Sequence, residues 1–361
     1  MKLDFNQERW ERVKENNRLW RARKLGRPLV QWTLLGADPG RPEPATPPHS
    51  RGTSAYDTSI SIDRMLDRWE YDLACRKHLG DAFPTFCVDF GPGVIAEALG
   101  ARAEVRDGNV WFHPGIWEGV QPQDMRPVYK DESVWFRRML DICRAAVGRF
   151  AGQAQVTVAG LTGTVDVLAT MRTTESLLTD LYDCPEEIER LVWELHPLWF
   201  RYLNRINEAL AGNPGYSSWG EIFSDAPCPM FQCDFAYMIG PEMFERFVAP
   251  ELAASCELMP GAFYHQDGVG QLPHTPSLHA IPGLGGVQWQ PGEGHPPSLF
   301  WYDVQRRIRD DGLLSQTWGG PVMLDKLLNE YGDASNMVII GHGNVKDEEK
   351  FREVLRKHRI E

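Results

Sequence analysis

Side chains that can bind metals follow several apolar segments in the second half of the sequence. His265 and Asp267 alternate across Gln266, so both point to the same side of an extended strand end. His342 stands between two glycines after a later segment, and Cys233 offers a softer ligand. Imidazole, carboxylate and thiolate are the usual ligands of zinc. These residues predict a metal site. The alternative, in the absence of HExxH or CxxC spacing, is a histidine that is hydrogen-bonded for structure or contacts substrate.

A further acid, Glu221, ends the strand-like segment Tyr216–Glu221. A carboxyl group at such a strand end could serve as a catalytic base or proton donor, or as a ligand. The alternative is a carboxylate that caps the following turn. Both interpretations stay open at this point.

Aromatic side chains are unusually frequent, with 13 tryptophans in 361 residues. We expect Trp219, Trp289 and Trp318 to line a deep mouth together with Tyr264 and Gln288. Such walls would suit an apolar or cationic compound. The alternative is that most of these rings fill the core.

The absence of two kinds of sequence motif argues against nucleotide binding and serine hydrolysis. The pairs Gly285-Gly286 and Gly319-Gly320 lack the GxGxxG or GxxxxGK[ST] order that places backbone amides on phosphates. No GxSxG nucleophile elbow is present, so the sequence does not support the hypothesis of a hydrolase. Nucleotide binding and serine hydrolysis are therefore not expected.

Strands and helices must alternate to place these groups. The clearest pairs of strand and helix are Ala262–His265 with Leu272–Ala280, Gly286–Gln290 with Ser298–Asp310, Leu313–Thr317 with Pro321–Tyr331, and Met337–Gly341 with Asp347–His358. Further upstream, the pattern predicts helices over Phe5–Leu25, Ile62–His78, Ser133–Phe150, Glu175–Tyr182 and Pro185–Leu210, strands over Leu29–Leu35, Phe83–Phe90 and Ala154–Leu161, a hairpin over Ala103–Phe112, and a proline-rich loop over Pro39–Pro48.

This alternation predicts a parallel sheet that closes as a (β/α)8 TIM barrel with an N-terminal helical extension; a doubly wound open sheet is the alternative. We expect a single domain over residues 1–361, in which residues 1–82 supply the N-terminal helices, the first strand and the proline-rich loop, and residues 83–361 form the main barrel. The polar strand ends would then converge on one mouth, with the proline-rich loop packed beside it.

Charge and composition limit the partners. Lysine and arginine total 38 against 50 acidic residues, a net charge of −12, which argues against nucleic acid. No apolar stretch is long enough for a membrane span, and seven widely spaced cysteines are typical of reduced thiols in the cytoplasm. A small-molecule substrate is the expected partner, and a homodimer is compatible with the sequence.

Several segments resemble the uroporphyrinogen decarboxylase superfamily. They are QCDFAYMIGPEMFERFVAPEL from Gln232, GTVDVLATMRTTESLLTDLYDCPEE from Gly163, FGPGVIAEALGA from Phe90, YHQDGVGQLPH from Tyr264 and IPGLGGVQWQPGEG from Ile281. The last two are most similar to a decarboxylase-like branch related to corrinoid-dependent methyltransferases. The resemblance implies a (β/α)8 barrel that performs either porphyrinogen decarboxylation without a cofactor or zinc-dependent methyl transfer.

The same resemblance separates these two activities. The decarboxylases carry an arginine-rich RQAGRY motif after the first strand, whereas Gln31–Gly36 has no arginine to pair substrate carboxylates. The HxC zinc motif of the methyltransferases reads His265-Gln266-Asp267, and the region of their later cysteine reads Gly341-His342-Gly343. Harder ligands favour activation of an oxygen atom, or of a methoxy or ammonium substrate, over that of a thiol.

The sequence therefore leads to three hypotheses. The first is a metal-dependent methyltransferase that moves a methyl group between a small substrate and a corrinoid carried on a partner protein, since the chain lacks the DxHxxG motif of corrinoid carriers. The second is a decarboxylase or lyase for a small carboxylic acid, with Asp267 or Glu221 as proton donor and no metal. The third is a non-catalytic barrel that binds a small molecule.

Overall fold

The chain adopts a mixed α/β fold in a computed structural model that describes all residues except 1, 2, 4, 49–52 and 132. The strands of the described part are β1 Leu29–Leu35, β2 Arg76–Gly80, β3 Thr85–Val88, β4 Arg102–Arg106, β5 Asn109–His113, β6 Gln155–Val158, β7 Tyr216–Ser217, β8 Phe223–Ser224, β9 Met230–Gln232, β10 Phe263–Asp267, β11 Gly286–Gln290, β12 Leu314–Trp318 and β13 Met337–Asn344. Its α-helices are α1 Gln7–Arg21, α2 Thr53–Tyr56, α3 Ile62–Ala74, α4 Val94–Ala98, α5 Val134–Phe150, α6 Thr164–Arg172, α7 Thr174–Asp183, α8 Pro185–Ala209, α9 Pro241–Phe247, α10 Ala249–Leu258, α11 Thr275–His279, α12 Tyr302–Asp310, α13 Pro321–Tyr331 and α14 Glu348–Lys357.

One seven-stranded sheet dominates the fold, in the order β2-β1-β13-β12-β11-β10-β9. All neighbours in it are parallel except β1 and β2. Strands β3 and β6 form a second parallel pair, and β4 with β5 and β7 with β8 form antiparallel hairpins. Helices connect successive parallel strands, as the geometry of parallel pairing requires.

The four C-terminal pairs of strand and helix confirm the sequence prediction, with boundaries shifted by a few residues. Between β10 and α11 the chain first forms a 3-10 helix over Val269–His274. Strands β10 to β12 are buried along most of their length, which is typical of parallel strands covered on both faces.

The helix predicted over Ile62–His78 is wrong at its C-terminal end. Helix α3 stops at Ala74, and the next residues turn back as β2, antiparallel to β1. The apolar period of the helix ends there, and the backbone of β2 finds its hydrogen bonds on the free edge of β1. His78 thus becomes a sheet residue opposite Thr33.

Aromatic residues fill much of the core. Trp20 and Trp32 are fully buried, and the Trp32 indole donates to the backbone carbonyl of Gly319 at 2.8 Å. The large rings therefore serve mainly as core, the alternative that the sequence left open. All seven cysteines are free thiols. Across the described ranges, the helices are either too short or too polar to traverse a lipid bilayer.

Gly80 supports a stability prediction, because its backbone is left-handed and its surroundings are closed. Its φ is +62°, and a Cβ there would lie 2.5 Å from the carbonyl oxygen of Val30. Gly80→Ala is expected to lower the free energy of unfolding by about 3 kcal/mol or more, from backbone strain and from displacement of β1. Gly26→Ala is the matched control, since Gly26 has a φ of +72° with no atom within 4 Å of its Cβ position. Its expected cost is only about 1 kcal/mol. Urea denaturation measures both, and equal losses would contradict the clash with Val30.

Candidate active site

A cavity of about 980 Å³ opens where the carboxyl ends of the parallel strands meet. Its walls are made by strand ends, by β2 and α3, and by the end of the proline-rich loop. The residues that line it are Thr33, Leu35, Pro48, Trp69, Asp72, Leu73, Cys75, Arg76, His78, Phe83, Thr85, Phe86, Cys87, Asp89, Pro92, Ala159, Gly160, Trp219, Glu221, Gln232, Asp234, His265, Trp318 and His342. Carboxylates and aromatic rings therefore face one another across a space large enough for a small organic molecule.

Two of these lining residues, Asp234 and His265, form a group that can hold a metal together with Asp267, which lies just outside this lining. Asp234, His265 and Asp267 each offer a ligand atom, and the three atoms lie within 4.8 Å of one another. The closest pair that involves the imidazole is His265 Nε2 and Asp267 Oδ2, at 3.7 Å. His265 and Asp267 share a side of β10 because side chains alternate along a strand. Asp234 begins the 3-10 helix Asp234–Met238 that follows β9, and β9 pairs with β10.

The backbone at Asp234 is fixed by hydrogen bonds to a second carboxylate, that of Asp166. The buried side chain of Asp166 on α6 accepts the backbone N–H groups of Asp234 at 3.0 Å and Phe235 at 2.9 Å. Burial and the charge of Asp234 raise the pKa of Asp166 to about 7. The turn that presents Asp234 is therefore fixed by two hydrogen bonds to one residue.

The surroundings of Asp234 favour cation binding. Loss of surrounding water within the concave mouth raises the pKa of Asp234, and the charge of Asp267 raises it further, while His265 acts in the opposite direction. Two carboxylates held this close repel each other, and a divalent cation between them would remove that repulsion.

Glu221 lies elsewhere on the cavity wall, on a backbone of unusual conformation. Its φ is +57°, in the left-handed region that residues other than glycine seldom adopt. Burial raises the pKa of its carboxyl group, and the nearby charge of Arg76 acts in the opposite direction. A residue in a cavity that combines a strained backbone with a carboxyl group of raised pKa is typical of a functional position.

The sequence predicted Cys233 and His342 as metal ligands, but neither belongs to the group formed by Asp234, His265 and Asp267. Cys233 is 2% exposed and faces away from the cavity, because it alternates with Gln232 and Asp234 along an extended backbone. Burial raises the pKa of its thiol well above the ordinary value, which favours the protonated form over a metal-binding thiolate. His342 lines the cavity, yet it lies on β13, separated from β10 by β11 and β12.

Of the four aromatic residues predicted to contact substrate, two line the cavity and two do not. Trp219 and Trp318 line the cavity, and the Trp219 ring stands edge-on to His265 with 5.1 Å between centroids. Trp289 and Tyr264 do not line it. Both are fully buried on the opposite side of their strands, where Trp289 packs on Trp301 and the Tyr264 hydroxyl donates to Gln271 at 3.1 Å. Their assignment to substrate is wrong, because they alternate with the residues that face inwards.

Gln288 lies beneath the site and does not reach the cavity. It is fully buried, and its Oε1 atom is 2.5 Å from Nδ1 of His265. Its assignment as a direct substrate contact is therefore wrong, and its position makes it a partner of the histidine.

Reasoning from residue types missed Asp234, Asp89 and Arg76. The signal for Asp234 was present, since it lies two residues after Gln232, the last residue of β9, and the intervening Cys233 is extended. Asp89 and Arg76 had no comparable signal, because they reach the cavity through a loop and through β2, which the sequence predicted as helix.

His78, on the cavity wall, makes stability depend on pH. Burial and the charges of Arg76 and Arg9 lower its pKa from 6.5 to about 3. The unfolded chain thus binds more protons between these values, so the free energy of unfolding falls as pH decreases through this window, by up to about 1.4 kcal/mol per pH unit. In His78→Gln this part of the decrease is expected to vanish. Urea denaturation at a series of pH values measures it, and an unchanged slope in the variant would contradict the assignment.

Comparisons with known proteins bear on the fold. Neither a protein-family profile nor a curated protein matches the sequence. Among solved structures, the fold is similar to that of a methyltransferase from Methanosarcina mazei, with a TM-score of 0.56 and 12% sequence identity. The similarity covers 89% of this chain and 96% of that one. The chain therefore shares the α/β fold of that methyltransferase over nearly its whole length.

Proposed function

We propose that the protein is a metal-dependent methyltransferase that transfers a methyl group between a small methylated substrate and a corrinoid or related acceptor. The observation that carries the proposal is the group formed by Asp234, His265 and Asp267 at the edge of a cavity of about 980 Å³. A histidine with two carboxylates is a ligand set for a divalent metal, and zinc fits it. The shared fold of the Methanosarcina mazei methyltransferase supports the type of reaction.

The proposal includes closure of the sheet into a single (β/α)8 barrel. The eight strands of the barrel would be β1, β3, β6, β9, β10, β11, β12 and β13. The pairing of β1 with β13 joins the first of them to the last. One hydrogen bond supports a further junction: the Gly163 N–H donates to Gln232 at 3.0 Å, between the loop after β6 and β9. At the junction of β1 with β3, strand β2 lies on the edge of β1, and the Asp81 N–H that follows β2 donates to Val30 at 2.7 Å.

Each group has a defined task in this reaction. A divalent metal at the site would supply Lewis acidity to the heteroatom that carries the methyl group. The bond from that heteroatom to the methyl carbon breaks, and its electron pair stays on the heteroatom. The acceptor's electron pair forms the new bond to carbon, and Glu221 gives its proton to the heteroatom. The raised pKa of Glu221 keeps more of it in the protonated form that this step needs.

The cavity wall accounts for recognition of a small methylated compound. Trp69, Trp219 and Trp318 offer ring surfaces for an apolar or cationic group. The open side of the cavity would admit a corrinoid that is bound to a partner protein.

Metal analysis and a transfer assay test the proposal. Protein purified without chelator is examined for zinc and other divalent metals, and is then supplied with methyl ethers and methylamines, with reduced cobalamin as acceptor. We expect bound metal and formation of methylcobalamin, which a chelator stops and zinc restores. Full turnover of a carboxylic acid by metal-free protein would replace this proposal with the decarboxylase or lyase. Substrate binding without turnover would favour a binding protein.

A further inference from the structure

We infer that two buried glutamines, Gln288 and Gln316, form a relay that fixes the proton of His265 on Nδ1 and leaves Nε2 free for the metal. The inference rests on the proposed metal site and adds the residues that prepare it. These glutamines would be positioning residues, since neither lines the cavity.

The relay runs across three neighbouring strands. His265 on β10 is in register with Gln288 on β11, which is in register with Gln316 on β12. His265 Nδ1 is 2.5 Å from Gln288 Oε1, and Gln288 Nε2 is 2.8 Å from Gln316 Oε1. Both glutamines are fully buried, so these contacts are sheltered from water.

A backbone carbonyl sets the direction of the relay. Gln316 Nε2 donates to the carbonyl oxygen of Gly220 at 2.8 Å, and that oxygen can only accept. The amide of Gln316 must therefore present its own oxygen to Gln288, which donates with its NH2 group. Gln288 is left with its oxygen facing His265.

The state of His265 follows from this direction. Because the Gln288 oxygen can only accept, Nδ1 of His265 must carry a proton. A neutral imidazole has one proton, so its Nε2 atom keeps a free electron pair. Nε2 is the atom that lies 3.7 Å from Asp267 Oδ2, on the side of the ligand group. Hydrogen bonding behind a metal-binding histidine commonly selects its tautomer in this way.

The anchor at Gly220 also connects the relay to Glu221. A Cβ at Gly220 would lie 2.9 Å from Gln316 Oε1 and 2.5 Å from the end of the Met230 side chain, so a larger residue here would displace the Gln316 amide from its position in the relay. The Gly220 carbonyl belongs to the peptide that leads into Glu221, whose φ is +57°. The bond from Gln316 therefore restrains that peptide, and one chain of hydrogen bonds positions both the metal ligand and the cavity acid.

Substitution of each glutamine tests the relay, with Gln305 as a matched control. Gln288→Met removes the acceptor of the Nδ1 proton, and Gln316→Met leaves Gln288 without a fixed direction. Gln305 is also fully buried, and it accepts a hydrogen bond from Ser315 at 2.5 Å, but it lies on α12 away from the cavity. Gln305→Met should therefore lower thermal stability without altering the metal site.

The readouts are zinc affinity and the protonation of the imidazole. Competition with a chelating dye should show zinc binding that is about tenfold to a hundredfold weaker in Gln288→Met, with a smaller loss in Gln316→Met, and an unchanged affinity in Gln305→Met. In metal-free protein with 15N-labelled histidine, NMR should show His265 protonated at Nδ1, and a mixture of tautomers in Gln316→Met.

Two results would overturn the relay. One is a His265 proton on Nε2 in the metal-free wild type. The other is an equal loss of zinc affinity in all three variants, which would mean general destabilisation. If the wild type binds no zinc, the metal site fails, yet the NMR measurement on the same protein still decides whether the relay exists.

Discussion

Asp234→Asn is expected to strip the divalent metal from the protein. The substitution keeps the size of the side chain and removes its charge, so the cation loses one of two carboxylate ligands. We expect zinc affinity to fall by more than about a hundredfold, since even residues behind metal ligands change affinity tenfold to a hundredfold. His265→Ala should have at least as large an effect. Metal content by elemental analysis and affinity by dye competition measure both losses.

Two variants at the same cavity serve as controls. Asp89→Asn removes a carboxylate that lines the cavity and accepts the Gly91 N–H at 2.7 Å, outside the ligand group. His342→Ala removes the histidine that the sequence assigned to the metal. Both should keep the metal. Retention in Asp234→Asn together with loss in His342→Ala would return the site to the ligands first predicted.

Glu221→Gln is expected to slow methyl transfer by about a hundredfold to ten-thousandfold, the usual contribution of a positioned acid. The amide fills the same space but cannot give a proton to the leaving heteroatom. In the wild type, the rate should decrease as pH rises through the pKa of Glu221, which burial raises. The measurement is the pH dependence of kcat/KM for both proteins, and the decrease should be absent from the variant.

Arg76 supplies a sharper test of the same assignment. Its charge acts to lower the pKa of Glu221, so Arg76→Met should raise that pKa. The decrease in rate at alkaline pH should then move to higher pH. A Glu221→Gln variant that keeps the wild-type rate, or an Arg76→Met profile that moves to lower pH, would rule out Glu221 as the proton donor.

The C-terminal half of the fold was predictable because its signals are local. Each apolar run of β10 to β13 ends in polar residues and is followed by a helical pattern, so position and type could be read directly. Strand β2 was not predictable in this way. Its residues continue the sequence of α3 without a proline, and only the free edge of β1, which is distant along the chain, makes them a strand.

The candidate site was predictable where alternation was applied. The same rule that placed His265 and Asp267 on one side of β10 also puts Tyr264 on the other, and the polar-apolar order of β11 places Gln288 and Trp289 on opposite faces. Zinc chemistry favoured Cys233 over its neighbour Asp234, although Cys233 has an extended backbone and only one of the two adjacent side chains can face the mouth.

Some parts of the site could not be read from any single segment. The relay from His265 to Gly220 depends on the register of three strands and on a loop about 45 to 95 residues away along the chain. Register between parallel strands is set by packing of the whole sheet. The hydrogen-bond partners of Gln288 can therefore be identified only from the folded structure.

The pairing of β1 with β13 has a consequence for synthesis of the protein in the cell. Val30 lies opposite Ile339, and 309 positions separate them in the sequence. At about 5 to 20 residues per second, a ribosome needs roughly 15 to 60 s to make the intervening chain. During that time Leu29–Leu34, which is mostly buried in the folded protein, has no partner on one edge. The sheet can therefore be completed only after its last strand has left the ribosome.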